Sequence, residues 1–191
     1  MKFFSYRVLI TAVFGIVLSA GTVLNAQKAA NFTLNDYNGK QVSLSDFKDA
    51  KAIVVMFIAT QCPVSNAYNK RMVELYNEYA GKGVAFVAIN SNKQESVDDI
   101  KNHAKEHNFA FPVLKDKNNV IADKYDAHVT PEVYVLNSDF NLLYHGAIDD
   151  SRREDEVTSH SLKNALDEVL AGKEVMVTTT KAFGCSIKRV N

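Results

Sequence analysis

Cysteine is scarce in this chain of 191 residues, which contains two, Cys62 and Cys185. At most one disulfide can therefore form within the chain, and the two thiols are the natural candidates for redox or nucleophilic chemistry. Neither a glycine-rich phosphate loop nor a serine, histidine and aspartate arrangement is evident in the sequence. Nucleotide binding and serine hydrolase chemistry are therefore not indicated.

The sequence also lacks an excess of charge of either sign. Lysine and arginine number 22, and aspartate and glutamate also number 22. Removal of the leader described below takes Lys2 and Arg7 away and leaves 20 basic against 22 acidic residues, a formal charge of −2. Because binding to nucleic acid or to an anionic membrane surface needs a basic excess, we expect neither partner.

An apolar run of about 20 residues, as a membrane-spanning helix requires, is missing. The apolar stretch over 8–20 is shorter, and it follows a basic start that ends at Arg7. Small residues then lead to Ala26, and this order is typical of a secretory signal peptide. We predict a signal peptide over 1–26 and one domain over 27–191, exported to the periplasm or the cell exterior. An uncleaved anchor is the alternative, and no stable membrane span is expected after cleavage.

The rest of the chain alternates between strand and helix patterns. Continuous apolar runs predict buried strands over 52–58 and Val84–Asn90, with an amphipathic helix between them. Together they predict a parallel strand–helix–strand unit. An Asn-Gly turn predicts a hairpin around 31–44. Later patterns predict helices over 96–107, Val120–Tyr125 and Ser161–Leu170, and strands over Glu132–Leu136 and Leu142–Gly146.

Cys62 stands where the first buried strand gives way to a helix. At a helix N-terminus, unpaired backbone N–H groups and the helix dipole favour the thiolate, the reactive form of cysteine. Pro63 suits the first helical turn. Ser65 is expected either to donate a hydrogen bond to the thiolate or to cap the same helix. The alternative interpretation of Cys62 is a small buried apolar residue.

This order of elements, with Thr130-Pro131 before a later strand, resembles the thioredoxin fold. More narrowly, the chain is similar to the peroxiredoxin-like branch of that superfamily, also described as redoxin or AhpC/TSA-like. The matching segments are 57–63, 88–92, 129–131, 148–152 and 184–188. The resemblance implies an α/β architecture: a mixed central β-sheet flanked by helices on both faces, with an extra N-terminal β-hairpin.

The resemblance also implies roles for individual residues. Cys62 would be the nucleophile, and a cis peptide bond before Pro131 would face it. The backbone at Thr130 would pair with an extended thiol substrate. The supporting residues would be Thr60, Pro63, Ser65 and Arg152. For Arg152, which lies in a charged stretch, a solvated loop is the favoured interpretation.

The sequence departs from the family patterns at several positions. Thioredoxins carry Trp-Cys-Gly-Pro-Cys, but Gln61 replaces the tryptophan here and Ser65 replaces the second cysteine. A vicinal disulfide is therefore impossible. Met56 stands where thioredoxins have a buried aspartate, and Ala59 stands where typical peroxiredoxins have a threonine.

Cys185 has three interpretations. It is a resolving cysteine on a mobile C-terminal tail, one half of a structural disulfide with Cys62, or an inert buried thiol. The first predicts an exported thiol–disulfide oxidoreductase with Cys62 as nucleophile and Cys185 as the candidate resolving cysteine. A thiol peroxidase is an alternative, and the structural disulfide would suit a non-enzymatic binding module.

The expected partners are a protein or small-molecule thiol or disulfide, with a peroxide as a further candidate, and an external thiol protein as electron donor. No cofactor is predicted. His103 and His107 have a spacing that can bind a metal, but no further ligand accompanies them, so no metal site is predicted.

Overall fold

The computed structural model describes Met1 and residues 27–190. The predicted signal peptide therefore lies, apart from Met1, outside the described residues. The strands are β1 (Thr33–Asn35), β2 (Gln41–Ser43), β3 (Ala52–Phe57), β4 (Val84–Asn90), β5 (Val113–Lys115), β6 (Val129–Thr130), β7 (Glu132–Leu136), β8 (Leu142–Gly146) and β9 (Cys185–Ser186). The α-helices are α1 (Pro63–Ala67), α2 (Asn69–Tyr79), α3 (Val97–Glu106), α4 (Val120–Tyr125) and α5 (Ser161–Leu170).

Five strands form the central sheet in the order β5-β4-β3-β7-β8. β3 lies parallel to β4 and antiparallel to β7, so the sheet is mixed, as predicted. All six residues of β3 are buried because it is the middle strand and both of its faces are covered. β1 and β2 form a separate two-stranded sheet, which confirms the extra N-terminal hairpin.

Alternate residues of β3 point into two hydrophobic layers, because side chains along a strand point to opposite faces. Val54 and Met56 pack with apolar residues of α2, α3 and α5. Val55 and Phe57 pack on the other face with residues of α4 and of the N-terminal hairpin. The helical layers on both faces of the sheet are thus confirmed.

The structure differs from the predicted elements in two places that affect the site. The helical pattern after Cys62 is divided into α1 and α2 at Tyr68, which has φ −97° and ψ −5°. The C-terminal segment, for which no strand was predicted, contributes β9, which pairs antiparallel with β6. Within the part of the chain that the structure describes, no helix combines the length and apolar character needed to cross a membrane.

Candidate active site

Cys62 lies at the N-terminus of α1, as the sequence predicts. It is the N-cap residue in extended conformation, and its sulfur accepts the Ser65 N–H at 3.3 Å. Pro63 occupies the first turn of the helix. The N-cap interpretation of Ser65 is therefore wrong, because Cys62 itself caps the helix. The Ser65 hydroxyl instead accepts the Ala59 N–H at 3.1 Å and closes the turn before Cys62.

Thr130, Pro131 and Cys185 meet beside Cys62. The Thr130-Pro131 peptide bond is cis, as expected. The Cys62 thiol donates a hydrogen bond to the Thr130 carbonyl oxygen across 3.5 Å. β9 places Cys185 directly opposite Thr130 in the antiparallel register. Both cysteines are free thiols here, and Cys62 is only 4% exposed.

The two thiols have opposite tendencies to ionise. Burial disfavours the Cys62 thiolate, but hydrogen bonds from the Cys185 thiol, the Ser65 N–H and the Thr130 hydroxyl outweigh it and lower the Cys62 pKa. The Thr130 hydroxyl is buried and has no other hydrogen-bond partner. Donation to Cys62, together with burial, raises the pKa of Cys185. Cys62 is thus the better nucleophile of the two.

The segment that carries Cys185 is anchored and is not the mobile tail of the first interpretation. Ile187 is buried in the core, and its N–H binds the His128 carbonyl oxygen at 2.9 Å. The Lys188 N–H binds Asn92 Oδ1 at 2.7 Å. The backbone pairing with Thr130, which the family resemblance assigned to an extended substrate, is therefore made by the protein's own β9.

Glu95, which was not predicted from the sequence as a site residue, holds the backbone next to Cys62. It is 2% exposed, and its carboxylate accepts the Thr60 N–H at 2.7 Å and the Gln61 N–H at 3.2 Å. The side-chain amides of Asn90 and Asn92 also donate to it. Glu95 thereby holds the turn before Cys62. The available signal was a polar cluster at the C-terminal end of β4, next to the strand that leads to Cys62.

The two remaining predicted supporting residues, Thr60 and Arg152, lie in different environments. The Thr60 hydroxyl is buried without a hydrogen-bond partner. The Arg152 side chain is exposed, in line with the solvated-loop interpretation, and its carbonyl oxygen accepts from Arg71 at 2.6 Å. The buried cation in this region is Arg71, which forms an ion pair with Asp149.

A cavity of about 180 Å³ opens beside the two cysteines. Its lining includes both cysteines together with Gln61, Asn92, Gln94, Glu95 and Lys188. No cluster of three or more histidine, cysteine, aspartate or glutamate residues suited to a metal ion occurs among the residues described. His103 is instead buried, with Nε2 3.3 Å from the Asn69 side-chain oxygen.

Comparison with known proteins gives consistent results. The family model described as "AhpC/TSA family" matches residues 26–148. The thiol-disulfide oxidoreductase ResA of Bacillus thuringiensis subsp. konkukian is 28% identical over 144 residues, which cover 75% of each chain. An uncharacterized conserved protein from Geobacillus kaustophilus has 39% identity and a TM-score of 0.81, covering 86% of this chain and 92% of that one.

The thioredoxin domain of thiol-disulfide oxidoreductase BVU-2223 from Bacteroides vulgatus also superposes. It has 20% identity and a TM-score of 0.56, covering 63% of this chain and 86% of that one. At this level of identity the likeness concerns the fold alone. It confirms the predicted thioredoxin-like architecture.

Proposed function

Because the chain belongs to the AhpC/TSA family, as its sequence resemblance predicts, we propose that it is a thiol–disulfide oxidoreductase in which Cys62 attacks and Cys185 resolves. The observation that carries the proposal is that both cysteines line one cavity, with Cys62 at the N-terminus of α1 and Cys185 paired opposite Thr130, whose carbonyl oxygen contacts the Cys62 sulfur. The relatives named as thiol-disulfide oxidoreductases support the same reaction class. Thr60, Pro63, Thr130 and Pro131 are proposed to shape the site around that sulfur.

The proposed reaction has two thiol exchanges. The Cys62 thiolate attacks one sulfur of a substrate disulfide, forming a mixed disulfide and releasing the first substrate thiolate, which takes up a proton. Cys185 then loses its proton and attacks the Cys62 sulfur, forming the Cys62–Cys185 disulfide and releasing the second thiol. The substrate gains two electrons that the cysteine pair loses. An external dithiol restores both thiols.

The electrostatics of the pair support this order of attack. Cys62 has the lowered pKa and is the first nucleophile, whereas the raised pKa of Cys185 keeps it protonated until the mixed disulfide forms. Once Cys62 is bonded to substrate, its sulfur no longer holds the negative charge that raised the pKa of Cys185. The resolving thiol is therefore activated by the first step.

We also propose export, with residues 1–26 acting as a cleaved signal peptide and 27–191 as the mature domain. The supporting feature is the basic, apolar and small-residue order at the N-terminus. Mass spectrometry of the protein recovered from the producing cell would place its first residue. Recovery of the intact N-terminus inside the cell would contradict the proposal.

Mass spectrometry of the reduced protein tests the proposed reaction. A substrate disulfide is expected to remove two hydrogen atoms and to link Cys62 to Cys185. Cys185→Ser should accumulate a mixed disulfide at Cys62, and Cys62→Ser should not. Hydrogen peroxide in a parallel sample distinguishes a thiol peroxidase, which would reach the same bond through a sulfenic acid with loss of water. An unmodified Cys62 under both treatments would sink the proposal.

A further inference from the structure

The edge of β6 is the backbone that an extended polypeptide would use to reach Cys62. Its Thr130 carbonyl oxygen touches the Cys62 sulfur. Polypeptides bind commonly by adding a strand to such an edge, because the edge offers unpaired N–H and C=O groups. Here the edge is paired with β9, in the register Val129 with Ser186 and Thr130 with Cys185.

Contacts on both sides of Cys185 hold β9 in place. On its N-terminal side, Gly184 lies so close to Thr130 that an added Cβ would overlap the Thr130 carbonyl oxygen. On its C-terminal side, Ile187 is buried and hydrogen-bonded. Arg189 continues the anchoring through an ion pair with Asp123 at 2.8 Å. An incoming strand would have to displace this whole segment.

Among the residues that the structure describes, the cavity between the turn at Gln61 and the C-terminal segment at Lys188 offers an approach to Cys62. Its volume of about 180 Å³ is below the roughly 300 Å³ at which common ligand pockets begin. Most of the residues that line it are polar, so it suits a small polar molecule better than an apolar one. A disulfide of two small polar thiols carries its sulfurs on short, flexible chains, and such chains are thin enough to enter a narrow cavity.

We propose that Cys62 reacts with low-molecular-weight disulfides that enter through this cavity, and that β9 excludes extended polypeptide disulfides. This inference rests on the proposed function. The Cys62 thiolate displaces one small thiolate from the disulfide, and Cys185 displaces the second. The products are two small thiols, protonated by solvent and by the Cys185 proton, and the oxidised cysteine pair.

The test compares two probes on the reduced full chain, bis(2-hydroxyethyl) disulfide and insulin. The rate of Cys62–Cys185 bond formation is measured by mass spectrometry and divided by the rate of each probe with free dithiothreitol. We expect the small disulfide to be favoured by about tenfold or more, because an extended substrate must first open backbone hydrogen bonds of β9.

Two variants test the role of β9. Because displacing β9 also moves Cys185, the readout for the variants is the rate at which the free Cys62 thiol is lost, normalised in the same way. Gly184→Ala should displace the strand and raise this rate with insulin, whereas Gly81→Ala, where an added Cβ meets open space, should leave it unchanged. Ile187→Ala, which loosens the same segment from the core, provides a second route if Gly184→Ala fails to fold. A higher insulin rate in either β9 variant supports the inference.

The outcomes separate the two proposals. Equal normalised rates of the two probes with the wild-type protein overturn the exclusion by β9 and leave the proposed function standing. An unchanged preference in correctly folded Gly184→Ala and Ile187→Ala also overturns it. Absence of reaction with both probes means that the proposed oxidoreductase function itself has failed.

Discussion

Replacement of Glu95 by glutamine tests how the turn before Cys62 is held. Each carboxylate oxygen of Glu95 accepts two N–H groups, one from the turn at Thr60 or Gln61 and one from an asparagine side chain. Glutamine keeps one oxygen and presents an NH₂ group in place of the other. Whichever way the amide is turned, two N–H donors lose their acceptor and face another donor.

The magnitude follows from these lost hydrogen bonds. A buried donor left without a partner costs about 1–3 kcal/mol, so the two donors together should lower the free energy of unfolding of Glu95→Gln by roughly 2–6 kcal/mol. For a domain of this size each kcal/mol shifts Tm by about 2–4 °C, so a loss of roughly 10 °C is expected. The turn should also loosen, and the rate at which Cys62 reacts with a disulfide should fall.

Thermal unfolding followed by circular dichroism gives Tm, and alkylation of Cys62 reports on the turn. The matched control is Glu74→Gln, which removes the same charge from an exposed pair with Lys70 and should change stability by less than about 1 kcal/mol. If Glu95→Gln unfolds at the same temperature as Glu74→Gln and its Cys62 reacts at the wild-type rate, Glu95 does not hold the turn.

Three further predictions concern other groups. Alkylation of Cys62 should reach half of its maximal rate at a lower pH than alkylation of an ordinary cysteine. Cys185→Ala should raise that pH, because the thiolate loses a hydrogen-bond donor. An unchanged pH in the variant would contradict the effect of Cys185 on the Cys62 pKa. Arg71→Met leaves Asp149 without its buried cation and should cost about 3–5 kcal/mol of unfolding free energy, measured by urea titration; a cost below about 1 kcal/mol, typical of surface pairs, would refute this. Burial raises the pKa of Glu132, but hydrogen bonds from His145 and two backbone N–H groups outweigh burial, and the net effect lowers the pKa. Glu132 therefore stabilises the fold above the ordinary carboxyl pKa. This stabilisation is lost as the pH falls through the lowered pKa. Glu132→Gln should flatten the fall of Tm across that acid range, and an unchanged profile would exclude Glu132 as its source.

Much of the framework could be predicted from local patterns. The apolar run of β3 and the amphipathic pattern that follows placed Cys62 at a helix N-terminus, since both depend on residues close together in the chain. The division of that helix at Tyr68 could not be predicted, because the apolar periodicity continues through this residue. The hydrogen bond from the Tyr68 hydroxyl to Asp149, far along the chain, likewise leaves no trace in the periodicity.

The roles of two buried charged residues near the candidate site also could not be predicted from local patterns. In the sequence, Glu95 is indistinguishable from any other acidic residue of a polar loop. Only the folded chain places it, shortly after the end of β4, in contact with the turn before Cys62. Arg71 likewise lies on an amphipathic helix, and only the approach of the loop at Asp149 buries it as an ion pair. The burial of a charged group depends on which segments cover it, and that is a tertiary property.

The sequence by itself determined that this protein has one cysteine at a strand-to-helix junction, one further cysteine near its end and no vicinal partner for the first. Composition and short-range periodicity suffice for these statements. Only the tertiary structure decided that β9 pairs with β6, that Cys185 and Cys62 line the same cavity and that the pairing edge is already occupied. The physical reason is that strand pairing and buried hydrogen bonds join segments distant in the chain, whose meeting is set by the packing of the whole domain.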